Sequence, residues 1–201
     1  MSLYKNYFKR IFDFVAALIF LIIASPLLLL GLLIIYISSR TFDIFFLQLR
    51  PGKNSKLFKV IKLKTMSDIY DKEGVLLPDS ERITKVGKFL RDYSIDELPQ
   101  FINVIKGDMS LIGPRPLLPE YLPKYTQEQA RRHEMRPGIS GWAQINGRNT
   151  STFTQRFKDD VWYVDNATFL LDIKIVGLTF FKVFKSDGVM DQDPNSMIDN
   201  N

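Results

Sequence analysis

Residues Phe14–Ile37 read FVAALIFLIIASPLLLLGLLIIYI, an uncharged apolar run broken near its middle by Ser25-Pro26. Roughly 20 helical residues at about 1.5 Å rise each are enough to cross a bilayer core. The flanks complicate a simple crossing. Lys5, Lys9 and Arg10 precede the run, and Arg40, Arg50 and Lys53 follow it. Positive charge beside a membrane segment marks the cytoplasmic side, and here both ends carry it. Pro26 removes one backbone donor and crowds the preceding turn, so a bend is expected there. The Ser25 hydroxyl is placed to satisfy a carbonyl that the proline frees, which lipid cannot do. Two readings stay open on these residues: a bent helix that enters one leaflet and returns, or a spanning helix with a proline kink. A cleaved signal peptide fits less well, because the run is long and no small-residue cleavage site follows it. On either reading the chain works at a membrane.

The chain has 201 residues, enough for one domain of ordinary size besides the membrane segment. Lysine and arginine exceed aspartate and glutamate by 27 to 22, a net charge of +5. On a membrane protein that excess suits anionic headgroups or phosphorylated substrates. No zinc-finger spacing or basic recognition helix points to nucleic acid. The absence of cysteine excludes disulfides and thiolate metal sites. The single histidine, His133, excludes a metal site built on a histidine pair. Among Arg131, Arg132 and Glu134 it reads as a solvated helix residue.

No repeat or low-complexity tract is visible. Phe42 to Gln48 is apolar and β-prone and ends at the Arg50-Pro51-Gly52 turn signal. Leu57 to Lys64 alternates, with Lys59, Ile61 and Leu63 on one face and Val60, Lys62 and Lys64 on the other. Asp68 to Ser80 reads as a surface loop. Ile83 to Leu90 reads as a short helix with Ile83, Val86, Phe89 and Leu90 on one side. Leu98, Phe101, Ile102 and Ile105 form a helical stripe that Gly107 ends. Met109 to Pro119 and Arg136 to Asn149 are rich in glycine or proline and read as loops. Thr126 to Met135 is charged and helix-compatible. Thr152 to Lys185 reads as two helices, the second very apolar, and the residues after Ser186 read as frayed. The fold class is therefore α+β and mostly helical, with an N-terminal membrane helix and a compact domain of helices, short strands and loops.

Ser94-Ile95-Asp96-Glu97-Leu98-Pro99-Gln100 places two adjacent carboxylates where a helix begins. Pro99 belongs in a first turn, which would put Asp96 near the N-cap. Ordinary capping explains that pattern, and the spacing of Ser94 and Glu97 even suits a capping box. The same position has a chemical use. A helix N-terminus stabilises an ionised carboxylate and attracts phosphate. A carboxylate can attack phosphorus, and a second beside it can help hold Mg²⁺ together with phosphate oxygens. Gly113-Pro114-Arg115-Pro116 stiffens the backbone around one arginine suited to bidentate phosphate contact, or is a rigid turn with a solvated side chain. In Arg136-Pro137-Gly138-Ile139-Ser140-Gly141-Trp142-Ala143-Gln144-Ile145-Asn146-Gly147-Arg148 the glycines allow close backbone approach to a ligand, and Gln144, Asn146 and Arg148 alternate as polar groups. Trp142 reads as core, as a base-stacking platform or as a lipid contact. Lys62 and Arg91 add positive charge, unless they are plain surface residues.

The order of these segments carries more than any one of them. A Ser-Pro-broken apolar run, a lysine-bearing strand, Asp-Glu-Leu-Pro-Gln, Gly-Asp-Met-Ser-Leu-Ile-Gly-Pro-Arg-Pro and Arg-Pro-Gly-Ile-Ser-Gly-Trp-Ala-Gln follow one another. From about Tyr4 to Lys185 the chain resembles the monotopic phosphoglycosyl transferases, the bacterial sugar transferases that prime glycoconjugate assembly. With no further membrane region ahead of Tyr4, it is similar to the small members of the PglC type. The resemblance implies a re-entrant helix hairpin over residues 1–40 bent at Ser25-Pro26, a catalytic domain over 41–186 with interfacial helices, and a flexible tail over 187–201. It implies transfer of a phosphosugar from a UDP-sugar to undecaprenyl phosphate with release of UMP, protein glycosylation being one outlet. Asp96 would be the nucleophile that carries a covalent phosphosugar, and Glu97 would complete the dyad and help place Mg²⁺. Lys62, Arg91, Arg115, Arg148 and Gln144 would bind substrate and phosphate, Arg148 matching a position implicated in nucleotide-sugar binding. The donor would be a UDP-linked N-acetylated sugar such as UDP-diacetylbacillosamine. The site of action would be the cytoplasmic face of the inner membrane, within one leaflet. Two rival classes remain, a membrane-anchored scaffold without turnover and a lipid phosphatase using an aspartyl-phosphate.

Overall fold

The computed structural model describes residues 3–146 and 152–184. A wide helical turn, Tyr4–Phe8, leads into α1, Lys9–Ser39, a continuous helix of 31 residues that passes through Pro26. It is long and apolar enough to cross a membrane, with a mean hydropathy of 3.0 over its most apolar window. Pro26 deprives the Ile22 carbonyl of its donor, and the Ser25 hydroxyl donates to that carbonyl at 2.8 Å, as the sequence led one to expect. One side of α1 faces outward with Leu18, Ile22, Ile23, Leu29, Leu30 and Leu33 exposed. The other side is buried towards its two ends, at Lys9, Asp13 and Ala17 and again at Gly31 and Ile35.

The domain that α1 packs against is helical with two small sheets. In order follow β1 (Phe45–Pro51), β2 (Leu57–Leu63), α2 (Asp79–Arg82), α3 (Lys85–Asp92), α4 (Gln100–Lys106), β3 (Ser110–Ile112), α5 (Gln127–Ala130), β4 (Gly138–Ser140), α6 (Trp142–Asn146), α7 (Phe153–Asn166) and α8 (Phe169–Phe184). β1 and β2 form an antiparallel hairpin, and β3 pairs with β4 in parallel.

The two strands of the hairpin, the α4 stripe and the two final helices agree with the sequence reading, which did not pair the strands. Gly107 closes α4 with φ at +93°, a left-handed value that glycine adopts without steric cost. Thr84 caps α3 and Thr152 caps α7 by accepting backbone N–H bonds. Four expectations are corrected. The loop expected over Met109 to Pro119 contains β3, and the one over Arg136 to Asn149 contains β4 and α6 up to Asn146. The charged segment from Thr126 to Met135 divides after Ala130, where α5 gives way to a tighter turn, Arg131–Glu134. In α3, which starts two residues later than expected, Leu90 is buried and Phe89 lies exposed, since adjacent helical residues project about 100° apart.

Among the described residues there are three apolar centres, one of them formed by Leu117, Tyr121 and Phe157, and the other two are built on α1. In the larger, Ala17 of α1 meets Val60, Val104, Met109, Leu111, Ile112, Tyr163, Val164, Ala167 and Ile175. In the smaller, Ile35 of α1 meets Leu63, Leu90 and Ile95. Gly31 makes the second contact possible: a Cβ there would stand 3.3 Å from Leu63 Cδ1. Each buried aliphatic side chain contributes about 1.5–3 kcal/mol, so α1 is a structural part of the domain as well as its apolar anchor.

Candidate active site

Ser94 adopts a left-handed conformation, φ 55°, that turns the chain between α3 and α4. The next three residues, Ile95–Glu97, form a tight helical turn, and Pro99 is the N-cap of α4. Asp96 thus lies in a separate turn ahead of α4, a correction to the expectation that it caps that helix. The turn is fixed by Ile95, which is buried in the smaller apolar centre. Asp96 is buried as well, at 5% exposure, with Glu97 half-buried beside it.

Glu97 gathers the basic residues. Lys62 Nζ from β2 donates to Glu97 Oε1 at 2.8 Å, and Arg115 Nη2 donates to the same oxygen at 2.7 Å. Arg91, on the last turn of α3, donates through Nε to Thr65 Oγ1 at 2.9 Å and adds a further positive charge near Asp96. The two carboxyls are pulled apart in acidity. Burial pushes the Asp96 carboxyl up to about 6, the charge of Glu97 adds to that, and Lys62, Arg91 and Arg115 oppose it. For Glu97, burial acts upward too, but Arg115 and Lys62 outweigh it and hold this carboxyl well below the usual range. The site therefore contains one permanently ionised carboxylate locked by two cations and one more basic carboxylate next to it.

Arg115 owes its place to backbone packing. The Gly113-Pro114 segment lies against β4, with Gly113 N–H donating to the Ser140 carbonyl at 2.9 Å and Gly138 N–H donating to the Pro114 carbonyl at 3.0 Å. A Cβ on Gly113 would fall 2.4 Å from the Arg136 carbonyl oxygen, and one on Gly141 2.1 Å from the Gly113 carbonyl oxygen. The two glycine-bearing motifs thus form one unit. Arg132 braces it: its Nη2 donates to the Arg115 carbonyl at 2.7 Å and to Asp160 Oδ2 at 2.6 Å, and its Nη1 donates to the Tyr125 hydroxyl at 3.0 Å. Nothing local marks this role, because Arg132 sits in a charged run and its partners lie on other elements.

His133 is also corrected. It is buried, and its Nδ1–H donates to the Gly52 carbonyl at 3.3 Å, tying the β1–β2 turn to the segment after α5. Burial, with Arg132 beside it, pushes the imidazole down to about 4 and keeps it neutral at pH 7.

Of the residues singled out in the sequence, Lys62, Asp96, Glu97 and Arg115 come together, and Arg91 stands close enough to act on Asp96 electrostatically. Gln144 is half-buried on α6 beside Gly141, apart from the hydrogen bonds to Glu97. Trp142 is partly buried against the larger core and lies over Trp162, with ring centroids 4.9 Å apart. Arg148 and the tail over 187–201 lie outside the described residues. Ser25 and Pro26 lie on α1, well apart in sequence from this cluster.

The sequence profile of the family described as bacterial sugar transferase matches residues 4–186. The chain is 52% identical over 181 residues to an uncharacterized sugar transferase, EpsL, of Bacillus subtilis, covering 90% of this chain and 89% of that one. It is 39% identical over 187 residues to a UDP-glucose:undecaprenyl-phosphate glucose-1-phosphate transferase of Klebsiella pneumoniae, covering 88% of this chain and 40% of the relative. It is 38% identical over 190 residues to a UDP-N-acetylgalactosamine-undecaprenyl-phosphate N-acetylgalactosaminephosphotransferase of Aeromonas hydrophila, covering 90% of this chain and 45% of the relative. The chain thus spans less than half the length of these last two relatives. Over nearly all of its own length, however, it carries their shared segment, and it belongs to the bacterial sugar transferase family of phosphoglycosyl transferases.

Proposed function

We propose that this chain transfers a phosphosugar from a UDP-sugar to undecaprenyl phosphate, giving undecaprenyl diphosphate-linked sugar and UMP. The observation that carries this reading is the buried Asp96–Glu97 pair faced by Lys62 and Arg115. Lys62 and Arg115 are poised for phosphate oxygens, and Glu97 holds both cations in place through hydrogen bonds to one oxygen. Asp96 is ionised in most molecules at pH 7 yet more basic than an exposed aspartate, which favours attack by its oxygen. In the first step that oxygen bonds to the β-phosphorus of the donor, the bond from this phosphorus to the oxygen bridging to the α-phosphorus breaks, and UMP leaves with the electron pair. In the second step an oxygen of the lipid phosphate bonds to the same phosphorus and the Asp96 carboxylate departs. One set of cations serves both substrates in turn.

Magnesium belongs to the same reading. Asp96 and Glu97 supply two adjacent carboxylates, and Mg²⁺ is ordinarily bound by one or two such groups plus substrate phosphate oxygens. Among the described residues there is no group of three or more acidic or histidine side chains that could form an all-protein cage. This donor set therefore fits an ion that arrives with the diphosphate and neutralises part of its charge.

One-leaflet insertion at the cytoplasmic face is supported by the packing of α1. Its first half is held by Asp172 of α8 and by backbone carbonyls of α4, and its second half by Leu63, Leu90 and Ile95. A helix of this length extends about 46 Å. Were it to cross the bilayer along the normal, part of the charged domain fixed to it would be drawn into hydrocarbon, at a cost of several kcal/mol per unsatisfied group. Because the chain lacks cysteine, single cysteines at the exposed positions Tyr7 and Ser39 provide a direct test. Both should react with a membrane-impermeant maleimide from the cytoplasmic side in inverted vesicles. Reaction from opposite sides would mean that α1 spans the membrane.

The reaction is tested by UMP release from a panel containing UDP-glucose, UDP-N-acetylgalactosamine and UDP-diacetylbacillosamine, with undecaprenyl phosphate and Mg²⁺. Lipid-dependent UMP release from at least one donor is the expected result and names the sugar. Release of inorganic phosphate from the lipid instead would establish the phosphatase class, and neither product from any donor would favour a scaffold.

A further inference from the structure

Three well-shielded guanidiniums surround the site, and two of them own a carboxylate. Arg115 donates to Glu97 and Arg132 to Asp160. Arg50 on β1 does not. Its Nε and Nη2 both donate to the side-chain oxygen of Gln48, at 3.2 and 2.6 Å, and its Nη1 is buried with no hydrogen-bond partner among the described residues. A neutral amide orients this guanidinium without neutralising it. Taking a cation out of water is costly unless an anion faces it, so a half-buried arginine whose Nη1 is shielded and unpaired is stabilised by any anion that reaches it.

The position of Arg50 says which anion. In the hairpin Arg50 pairs with Phe58, Gln48 with Val60 and Phe46 with Lys62, so Arg50 and Lys62 project from the same face. Lys62 binds Glu97. Burial holds Arg50 down to about 10, and the charge of Arg115 acts in the same direction, while Glu120, Tyr121 and Glu97 act against it. Arg50 therefore shares the electrostatic field of Arg115 and Glu97. Its segment is held still by the hydrogen bond from His133 to Gly52 and by the Gly52 N–H donating to the Lys56 carbonyl at 2.8 Å.

We infer that Arg50 is a phosphate-binding residue of this site: oriented by Gln48 and left with a free Nη1, it takes an oxygen of a phosphate ester alongside Arg115. The assignment rests on the transferase reading above. The phosphate has two sources with the same chemistry, the diphosphate of the nucleotide sugar and the lipid phosphate.

The test is calorimetric binding of inorganic pyrophosphate and of UDP to the full chain in detergent, with Arg50→Gln and Gln48→Glu beside the parent. Gln48→Glu gives the guanidinium a carboxylate of its own and keeps its orientation. It should therefore melt no lower than the parent and yet bind both ligands about tenfold more weakly. Arg50→Gln should show the same loss, and if that variant fails to fold, Gln48→Glu decides alone. In steady-state assays a rise in KM confined to the UDP-sugar assigns the phosphate to the donor, and one confined to undecaprenyl phosphate assigns it to the lipid. Unchanged binding together with unchanged KM for both substrates would overturn the inference and make Arg50 structural. Because binding needs no turnover, weakened pyrophosphate binding in a chain that releases no UMP would refute the transferase reading and leave Arg50 as a phosphate residue.

Discussion

Asp96→Asn should reduce UMP release by a factor of 10³ or more while leaving the fold intact. Asparagine has nearly the same shape but no oxygen that can form an acyl-phosphate, and loss of a nucleophile ordinarily costs 10³- to 10⁶-fold. The effect should not come from unfolding. Burial and Glu97 both disfavour the charge on Asp96, so its ionisation opposes folding at neutral pH. The sign follows from the raised pKa: above about pH 6 the fold carries a carboxylate that is more stable in the unfolded chain. A neutral amide removes that cost, and the variant should melt at or above the parent temperature. A second readout isolates the covalent step. Donor labelled in the sugar should leave label on the parent protein after denaturation when lipid is omitted, and none on Asp96→Asn. UMP release undiminished in the variant would rule out Asp96 as nucleophile, whatever the stability result.

The sequence made the site more legible than its support. Asp96, Glu97, Lys62 and Arg115 each have an ordinary structural reading alone and were singled out by the order of their motifs, and three of the four are joined by hydrogen bonds in the fold. The helices were legible where an apolar stripe and a stop residue coincide, as for Leu98, Phe101, Ile102 and Ile105 before Gly107. The parallel pair of β3 and β4 was not, because three-residue strands of Ser110–Ile112 and Gly138–Ser140 have no readable period and owe their existence to glycines at which no Cβ fits. The bracing residues escaped for a related reason. Arg132 meets Asp160 across 28 positions, and His133 meets Gly52 across 81, so nothing local distinguishes either from a solvated charge. Asp96 itself was assigned to the wrong local element. Proline at the start of a helix suggested a continuous first turn, whereas the left-handed Ser94 and the buried Ile95 separate the acidic turn from α4.

The largest expected loss of stability lies far from the carboxylate pair, where α8 is fastened to α1. Asp172 is fully buried and accepts from Lys9 Nζ at 2.6 Å, from the Tyr4 hydroxyl at 2.5 Å and from the Tyr163 hydroxyl at 2.5 Å. Lys9 also lies 3.7 Å from Asp13, whose carboxylate accepts from the Ser110 hydroxyl at 2.7 Å and from the Leu111 N–H at 3.2 Å. These polar groups join α1, β3, α7 and α8 inside the larger apolar centre. Asp172→Leu removes the nearest counter-ion of Lys9, leaving Asp13 at 3.7 Å, and an acceptor of the Tyr4 and Tyr163 hydroxyls, while Lys9→Met removes the ammonium that faces Asp172 and Asp13. Breaking one partner of a buried pair costs about 3–5 kcal/mol. For a domain of this size that is a fall in melting temperature of roughly 10 °C. The double variant Lys9→Met/Asp172→Leu removes both charges of the closest pair and leaves fewer groups without a partner. It should therefore melt above Asp172→Leu, a coupling that a thermodynamic cycle measures directly. Thermal unfolding in detergent checks all three variants, and additive losses would show that Lys9 and Asp172 act independently. Because α1 also carries Gly31 and Ile35 against the turn that holds Asp96, the single variants should lose transferase activity on heating before the parent does. The membrane helix and the chemistry then fail together, which is the consequence of building the anchor into the core of the domain.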